Sequence, residues 1–528
     1  MEGAFVIVTV SERGCMTEFW KEHSQHATVE EMMLDSNAQE LSQLELPEIL
    51  ELLPPLPGTA VLELGAGIGR YTRHLICRAG HVTAVDFMEK FVEKNREDNG
   101  HMGNVEFIQA DVTKLDFPEH SFDLIFSNWL LMYLSDQELT SLAEKFLRWL
   151  RPGGHLFFRE SCFHQSGDSK RDFNPTHYRS PAHYNHLLTS PLLDQSEAAE
   201  RRCFGFDIVL NKTVQTYVKM KKNQNQLCWL MQKTRRDVVE QHQGGFSTFQ
   251  EFLDKQQYTR RGILRYEKMF GSGYVSTGGF STTKEFVEML DLTAGQRVLD
   301  VGCGIGGGDF YMAKTFGVEV LGLDLSSNMV EIAMERAVKE KLPLVQFEVS
   351  DATKRRFGDA TFDVVYSRDT ILHIRDKPEL LRKFHVSMSL NKQICFFCED
   401  LWTQSQNSDS WLKPGGKVLI SDYCCGEQPW SPAFQDYVKQ RGYILYTPQR
   451  YGQFLTEVGF RDVFAEDRTE QFIQVIKSEL QRAEEMKEEF IQEFSQEDYE
   501  AIVSGWKEKL QRCETGDQRW GLFIATRA

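Results

Sequence analysis

The 528 residues carry 60 Lys and Arg against 77 Asp and Glu, a formal net charge of −17, and 41% are apolar. That balance argues against a binder of phosphate backbones, which needs clustered cations, but not against a small anionic substrate held in a local basic pocket. The apolar fraction suffices for two sizeable α/β cores.

The eleven cysteines stand mostly singly, as reduced thiols of a cytosolic protein do. Cys395 and Cys398 form a C-x-x-C without a second pair to complete a zinc site. No apolar run approaches the ~18 residues of a membrane span, and no basic segment precedes AFVIVTV as in a signal peptide. A cytoplasmic protein without metal, membrane or nucleic-acid partner is expected.

Residues 1–15 read as an appendage. From Met16 the text turns helical through FWKEHSQHATVEEMMLD and LPEILELLPPL, a lid with His23 and His26 on exposed faces. VLELGAGIGR (61–70) is then an apolar strand running into glycines at 65, 67 and 69, and VLDVGCGIGGGD (298–309) repeats it with Gly302, Gly304 and Gly306. A strand, such a turn and a helix make the nucleotide-binding βα unit. Each copy has an acid before the first glycine (Glu63, Asp300) and another ending the next strand (Asp86, Asp324), placed to take two ribose hydroxyls. A third acid ends strand three (Asp111, Asp351) and suits an adenine amino group. This order resembles the S-adenosylmethionine (SAM) dependent methyltransferases.

From Val105 to Leu134 the first copy aligns without gaps to Val345–Ile374 at a constant offset of 240, the mark of a duplication. The offset rises to 262 at WLRPGG and WLKPGG (Trp149, Trp411), so the second copy carries an insertion, about 386–410, expected as a disordered loop away from the cofactor side. The chain reads as α/β: two tandem Rossmann-like domains, 16–232 and 251–528, joined by a polar linker, 233–250. Each is a doubly wound, mostly parallel sheet under a helical lid.

Methyl transfer to an amine needs positioning and a base for the ammonium proton. His373, in SRDTILHI, stands just past strand four, whereas the first copy has Tyr133 there. The second tail offers Tyr423, Tyr437, Arg441, Tyr443 and Lys509 as phosphate holders; the first offers Ser161, Ser166, Gly167, Lys170, Arg171 and Tyr178. A solvated helix face is the bland reading of the charged ones.

The tandem halves, QQYTRRGILRYEKMFGSGYVSTGG, YSRDTILHI, DYVKQRGY, MMLDS, IFSNWLLMYLS and FFRESCFHQSGDSKR resemble the two-domain phosphoethanolamine N-methyltransferases. The resemblance implies three methylations of phosphoethanolamine to phosphocholine with SAM as donor, S-adenosylhomocysteine as by-product and the phosphobases as partners. It assigns the first step to the first domain and the later two to the second, in an expected monomer. It implies Tyr258 and His373 as a hydrogen-bonded catalytic pair, with Gln257 and Tyr266 lining the phosphobase pocket beside the five phosphate holders. SAM would meet Ser276, Gly302, Asp324, Leu325, Asp351, Ala352 and Arg368. In the first half SAM would meet Gly65, Arg70, Asp86, Asp111, Val112 and Asn128, and the phosphobase Ser161, Ser166, Gly167, Arg171 and Tyr178. A methyltransferase for another small acceptor, or a half that binds SAM without catalysis, stays open on the residues alone.

Overall fold

The computed structural model describes residues 12–168, 174–195, 203–236, 249–385 and 410–528. They fall into two compact units: the first holds the residues up to Arg236 and Val338–Pro343, the second 249–337 and Leu344–Ala528.

In the first unit α1 (Glu12–Glu22), α2 (Val29–Met33) and α3 (Ala38–Glu51) precede β1 (Ala60–Leu64), β2 (His81–Asp86), β3 (Val105–Gln109), β4 (Phe122–Asn128) and β5 (Leu150–Ser161). A short β6 (Leu193–Asp194) pairs with β7 (Cys203–Thr213), and β8 (Gln226–Arg236) completes the order β7-β8-β5-β4-β1-β2-β3. The strands β1 to β5 are parallel, whereas β7 and β8 run antiparallel. Val61, Leu62, Leu64, Val82, Leu124 and Ile125 are all fully enclosed. Helices cover both faces of such a sheet, so its strands read as continuous apolar runs.

The second unit repeats the plan with β9 (Arg297–Val301), β10 (Glu319–Asp324), β11 (Val345–Ser350), β12 (Phe362–Arg368) and β13 (Leu412–Cys425), then β14 (Arg461–Asp467) and β15 (Gln518–Thr526). Its order is β14-β15-β13-β12-β9-β10-β11, with β14 and β15 antiparallel. In each unit the connections diverge between the first and fourth strands, which opens a crevice beyond their carboxyl ends. Asp123 and Asp363, matched in the repeat, accept the N–H groups of Ala60 and Arg297 at 2.8 Å. They pin neighbouring strand starts at the end of the sheet opposite the crevice, a structural role. Trp149 and Trp411 are likewise core residues, each edge-on to a phenylalanine (Phe117, Phe357) at 5.1 and 5.0 Å.

Two boundary expectations and one of exposure change. Helix α1 begins at Glu12, inside the expected appendage, because Arg13 finds a partner in Glu138. Strand β8 continues to Arg236, four residues into the expected linker, because the charged residues there pair: Lys233 donates to the Leu150 carbonyl at 2.9 Å and Arg236 meets Asp207 at 2.6 Å. His23 is half-buried, stacked on Phe19 at 4.2 Å. The insertion lies outside the described residues up to Ser410, as do Cys395 and Cys398. Its flanks stand where β12 and β13 begin, with the Trp411 N–H on the Lys383 carbonyl at 2.9 Å.

Candidate active sites

Each unit has a cavity at its crevice. The second, about 550 Å³, is lined by lid residues Phe249, Leu253 and Tyr258, by the glycine turn and by the loops after β10, β11 and β12. The first, about 140 Å³, is lined by Arg13, Met16 and Trp20 from α1 and by Met32 and Met33 from α2. Pockets for drug-sized ligands measure roughly 300–1,000 Å³. The second therefore holds a cofactor and acceptor as it stands; in the first, the Met32 thioether lies against Gly67, and the lid must give way.

The glycine turns are built identically. Asp86 accepts the N–H groups of Gly67 and Met88 at 2.8 Å, and Asp324 those of Gly304 and Ser326 at 3.0 and 2.9 Å. Burial pushes both carboxyls up to about 6, against those hydrogen bonds. Asp111 and Asp351 each accept an N–H two residues on, from Thr113 and Thr353, and start the turns carrying Val112 and Ala352. The residues fit SAM: two acids in matched positions, a turn open to close approach, and beneath it an enclosed Asp300 whose carboxyl interacts with that of Asp309. The guanidinium is supplied differently. Arg368 is anchored to Thr283 Oγ1 at 2.6 Å and the Thr277 carbonyl at 2.7 Å, while Asn128 takes its aligned position and Arg70 reaches Glu45 at 2.6 Å. Ser276, Gly302 and Leu325 complete the expected second-unit lining; Gly65 does so in the first.

The ribose role expected of Asp86 and Asp324 needs both carboxyls ionised. The affinity of the ligand-free chain for SAM is therefore expected to fall below pH 6 by about tenfold per unit. Equilibrium dialysis from pH 5 to 8 checks this, and a flat profile would remove the ribose role.

In the second unit Tyr258 and His373 face one cavity but share no hydrogen bond, contrary to expectation. The Tyr258 hydroxyl accepts from Gln257 Nε2 at 3.0 Å, its neighbour in sequence. His373 is flanked instead by Tyr443 (ring centroids 5.1 Å) and Phe249 (5.5 Å), and its enclosed Nδ1 has no partner. Burial, aided by Lys377 and Arg441, pulls the imidazole down to about 3, so it is neutral in the ligand-free chain.

Tyr423 and Tyr443 line the cavity; Tyr437, Arg441 and Lys509 stand behind them. Lys509 donates to the Tyr423 hydroxyl at 3.0 Å, Tyr437 packs edge-on to Tyr443 at 5.8 Å, and Arg441 sits over the Tyr437 ring at 5.9 Å. Gln257 and Tyr266 are also set back, Tyr266 stacked on Phe270 at 6.2 Å.

In the first unit Ser161, Ser166, Gly167 and Tyr178 line one cavity with the cofactor set, while Arg171 lies outside the described residues. Gln226 bridges Trp129 to Ser161, accepting from Nε1 at 2.8 Å and donating to Oγ at 2.5 Å. Tyr133 occupies the place aligned with His373, edge-on to Trp20 at 5.5 Å. Trp20, Tyr71, Trp129, Tyr178 and Tyr217 also line this cavity, so it is as aromatic as the second.

Sequence reading missed Asp369 and Trp129, aligned residues just past the fourth strand. Both have left-handed backbone (φ 49° and 55°), which non-glycine residues adopt at a cost. Asp369 Oδ1 accepts from Trp520 Nε1 at 2.9 Å, and its enclosed Oδ2 has no partner. The signal was present: within the ungapped repeat this position changes from indole to acid, as Tyr133 changes to His373.

No helix among the described residues is long and apolar enough to cross a membrane. Families described as methyltransferase domain match residues 61–154 and 292–459. Phosphoethanolamine N-methyltransferase 3 of Arabidopsis thaliana is 54% identical over 98% of this chain and 99% of its own, and phosphoethanolamine N-methyltransferase 1 of Zea mays is 51% identical over 100% and 99%. A solved structure, Haemonchus contortus phosphoethanolamine N-methyltransferase 2 with phosphomonomethylethanolamine and S-adenosylhomocysteine, superposes with a TM-score of 0.71 at 27% identity, covering 92% of this chain and 99% of that one. With relatives this similar along its whole length and two methyltransferase units in tandem, the chain belongs to the phosphoethanolamine N-methyltransferases.

Proposed function

We propose that this enzyme methylates phosphoethanolamine through its mono- and dimethyl forms to phosphocholine, the first unit making the first transfer and the second unit the later two. Bound SAM supplies a methyl group on a sulfonium, open to in-line attack by an amine. The second unit's residues position and deprotonate that amine. Lys509 and Arg441, with the phenols of Tyr423, Tyr437 and Tyr443, hold the phosphate by charge-assisted hydrogen bonds. Burial works against the Lys509 ammonium, yet Tyr423 and Tyr437 hold its pKa above the ordinary lysine range. His373, facing the cavity from the turn after β12, accepts the amine proton while Tyr258 closes over it from the lid. Asp369 offers an unpaired carboxylate oxygen beside them.

The observation that carries this reading is a neutral, enclosed imidazole facing the same cavity as a cation–phenol cluster. The aromatic content of the second cavity does not separate the two units, because the first matches it; the separation rests on His373 against Tyr133. The phosphobases are its small-molecule partners, and we place the chain in the cytoplasm as a monomer, on its acidic balance and singly placed thiols.

The purified chain, given SAM and phosphoethanolamine, is expected to release phosphocholine, with both intermediates resolved by mass. A chain that takes up SAM and leaves every phosphorylated ethanolamine unchanged would overturn the proposal.

A further inference from the structure

Among the described residues the first cavity has no histidine in its lining, yet a primary amine must shed its proton before it can attack. Beneath that cavity Arg159 of β5 is fully enclosed, donating to Glu45 Oε2 at 2.7 Å and to Asn128 Oδ1 at 3.2 Å. Arg70 takes the other oxygen of Glu45 at 2.6 Å. Two guanidiniums thus share one carboxylate, leaving a buried unit of positive charge. The neighbours do not cancel it. Tyr71 and Tyr217 are phenols whose pKa burial raises, and Glu63, held by Thr72 at 2.6 Å, is pushed by burial up to about 8. Among the described residues, the cavity's remaining carboxylates serve elsewhere: Asp86 at the ribose end, Asp111 beside Arg13 at 3.9 Å, and Asp35 paired with Lys221.

The charge is aimed. Arg159 lies 3.8 Å from the centroid of the Trp129 ring, which itself lines the cavity. Trp129 follows Asn128, in the expected cofactor set, and is bonded through Gln226 to Ser161, in the expected phosphobase set. It therefore stands at the junction where methyl donor and acceptor nitrogen meet.

We infer that Glu45, Arg70 and Arg159 act as an electrostatic unit that makes the acceptor amine of the first site easier to deprotonate, in place of the imidazole of the second. This rests on the reading that the first unit methylates phosphoethanolamine. The ammonium releases its proton to solvent, and the nitrogen lone pair forms the bond to the methyl carbon. The carbon–sulfur pair passes to sulfur, and the new secondary ammonium loses its proton in turn. A charge about 7 Å away across the indole, at an effective dielectric near 20, lowers an amine pKa by about one to two units. Arg159 touches none of the reacting atoms and is a positioning residue for charge.

The test is the pH dependence of phosphoethanolamine methylation by the full chain carrying His373→Ala, which silences the second site. Adding Arg159→Met is expected to move the acidic limb of kcat/KM about one unit toward higher pH, so that activity falls about tenfold at pH 7 and recovers near pH 9. Arg159→Lys keeps the charge and should leave the limb in place. Glu45→Gln adds net positive charge and should move the limb the other way, a sign that lost packing cannot produce. If Arg159→Met does not fold, Arg159→Lys and Glu45→Gln carry the comparison. Limbs that coincide in all folded variants would overturn the inference. A His373→Ala chain that binds SAM but is inactive on phosphoethanolamine at every pH would overturn the division of labour, and this inference with it.

Discussion

Replacing His373 with alanine is expected to lower conversion of phosphomonomethylethanolamine by about 10²–10⁴-fold, the range for a positioned base, while monomethylation of phosphoethanolamine continues. The phosphomonomethyl intermediate should then accumulate, which mass-resolved product analysis reads directly. The site explains the size. The imidazole is enclosed, bonded to no acceptor through Nδ1, and held neutral by burial and by the cations Lys377 and Arg441. A bound phosphate that draws Arg441 to itself relieves part of that repulsion and raises the basicity of the ring where a proton must be taken. The same burial has a stability signature. The folded imidazole titrates at about 3 against 6.5 unfolded, so the unfolded chain binds more protons between those values. Its contribution is complete above pH 6.5 and is lost as the pH falls toward 3, so the alanine variant should lose less stability on acidification. Parent-like accumulation of phosphocholine by this variant would remove His373 from the chemistry.

The parallel strands were legible because sheets covered on both faces demand continuous apolar runs, and VLEL, HVTAVD and FDLIFSN have no other reading once their copies are found at VLDV, EVLGLD and FDVVYSR. The antiparallel β7 and β8 were not. The last four residues of β8, Lys233 to Arg236, read as the start of a polar linker until the partner strand gives Lys233 a carbonyl to reach. Arg13 was hidden for a similar reason: a polar helix carries no core signal, and its partner Glu138 lies 125 residues on.

Site residues followed the same rule. Acids at strand ends were readable because topology brings strand ends together. The Glu45–Arg159 contact spans 114 residues and joins a lid helix to an interior strand, which no local pattern marks. The Tyr258–His373 pair was half readable: that both face one cavity follows from the resemblance, but the partner of a buried phenol is decided by whichever amide packs beside it, here Gln257.

Replacing Gly302 with alanine is expected to abolish SAM binding at the second site, with the calorimetric stoichiometry falling from two to one, whereas Gly65→Ala should weaken the first site only moderately. Both glycines have left-handed backbone, φ 89° and 70°, which costs alanine about 1–2 kcal/mol. Their surroundings differ. A methyl group on Gly65 would meet Leu130 Cβ at 3.2 Å, a contact that a small shift relieves. On Gly302 it would overlap the hydroxyl and methyl of Thr370 and approach Thr370 Cβ to 2.5 Å. Thr370 cannot simply turn aside, because its hydroxyl donates to the Arg368 carbonyl at 2.9 Å and its own carbonyl accepts the His373 N–H at 3.1 Å. The clash would therefore be passed to the turn carrying His373, and overpacking of this kind costs ~1–3 kcal/mol more. Together the penalties amount to a loss of about 10²-fold or greater in affinity. Two intact sites in the Gly302→Ala protein, each with parental affinity, would show that the turn yields where this packing says it cannot.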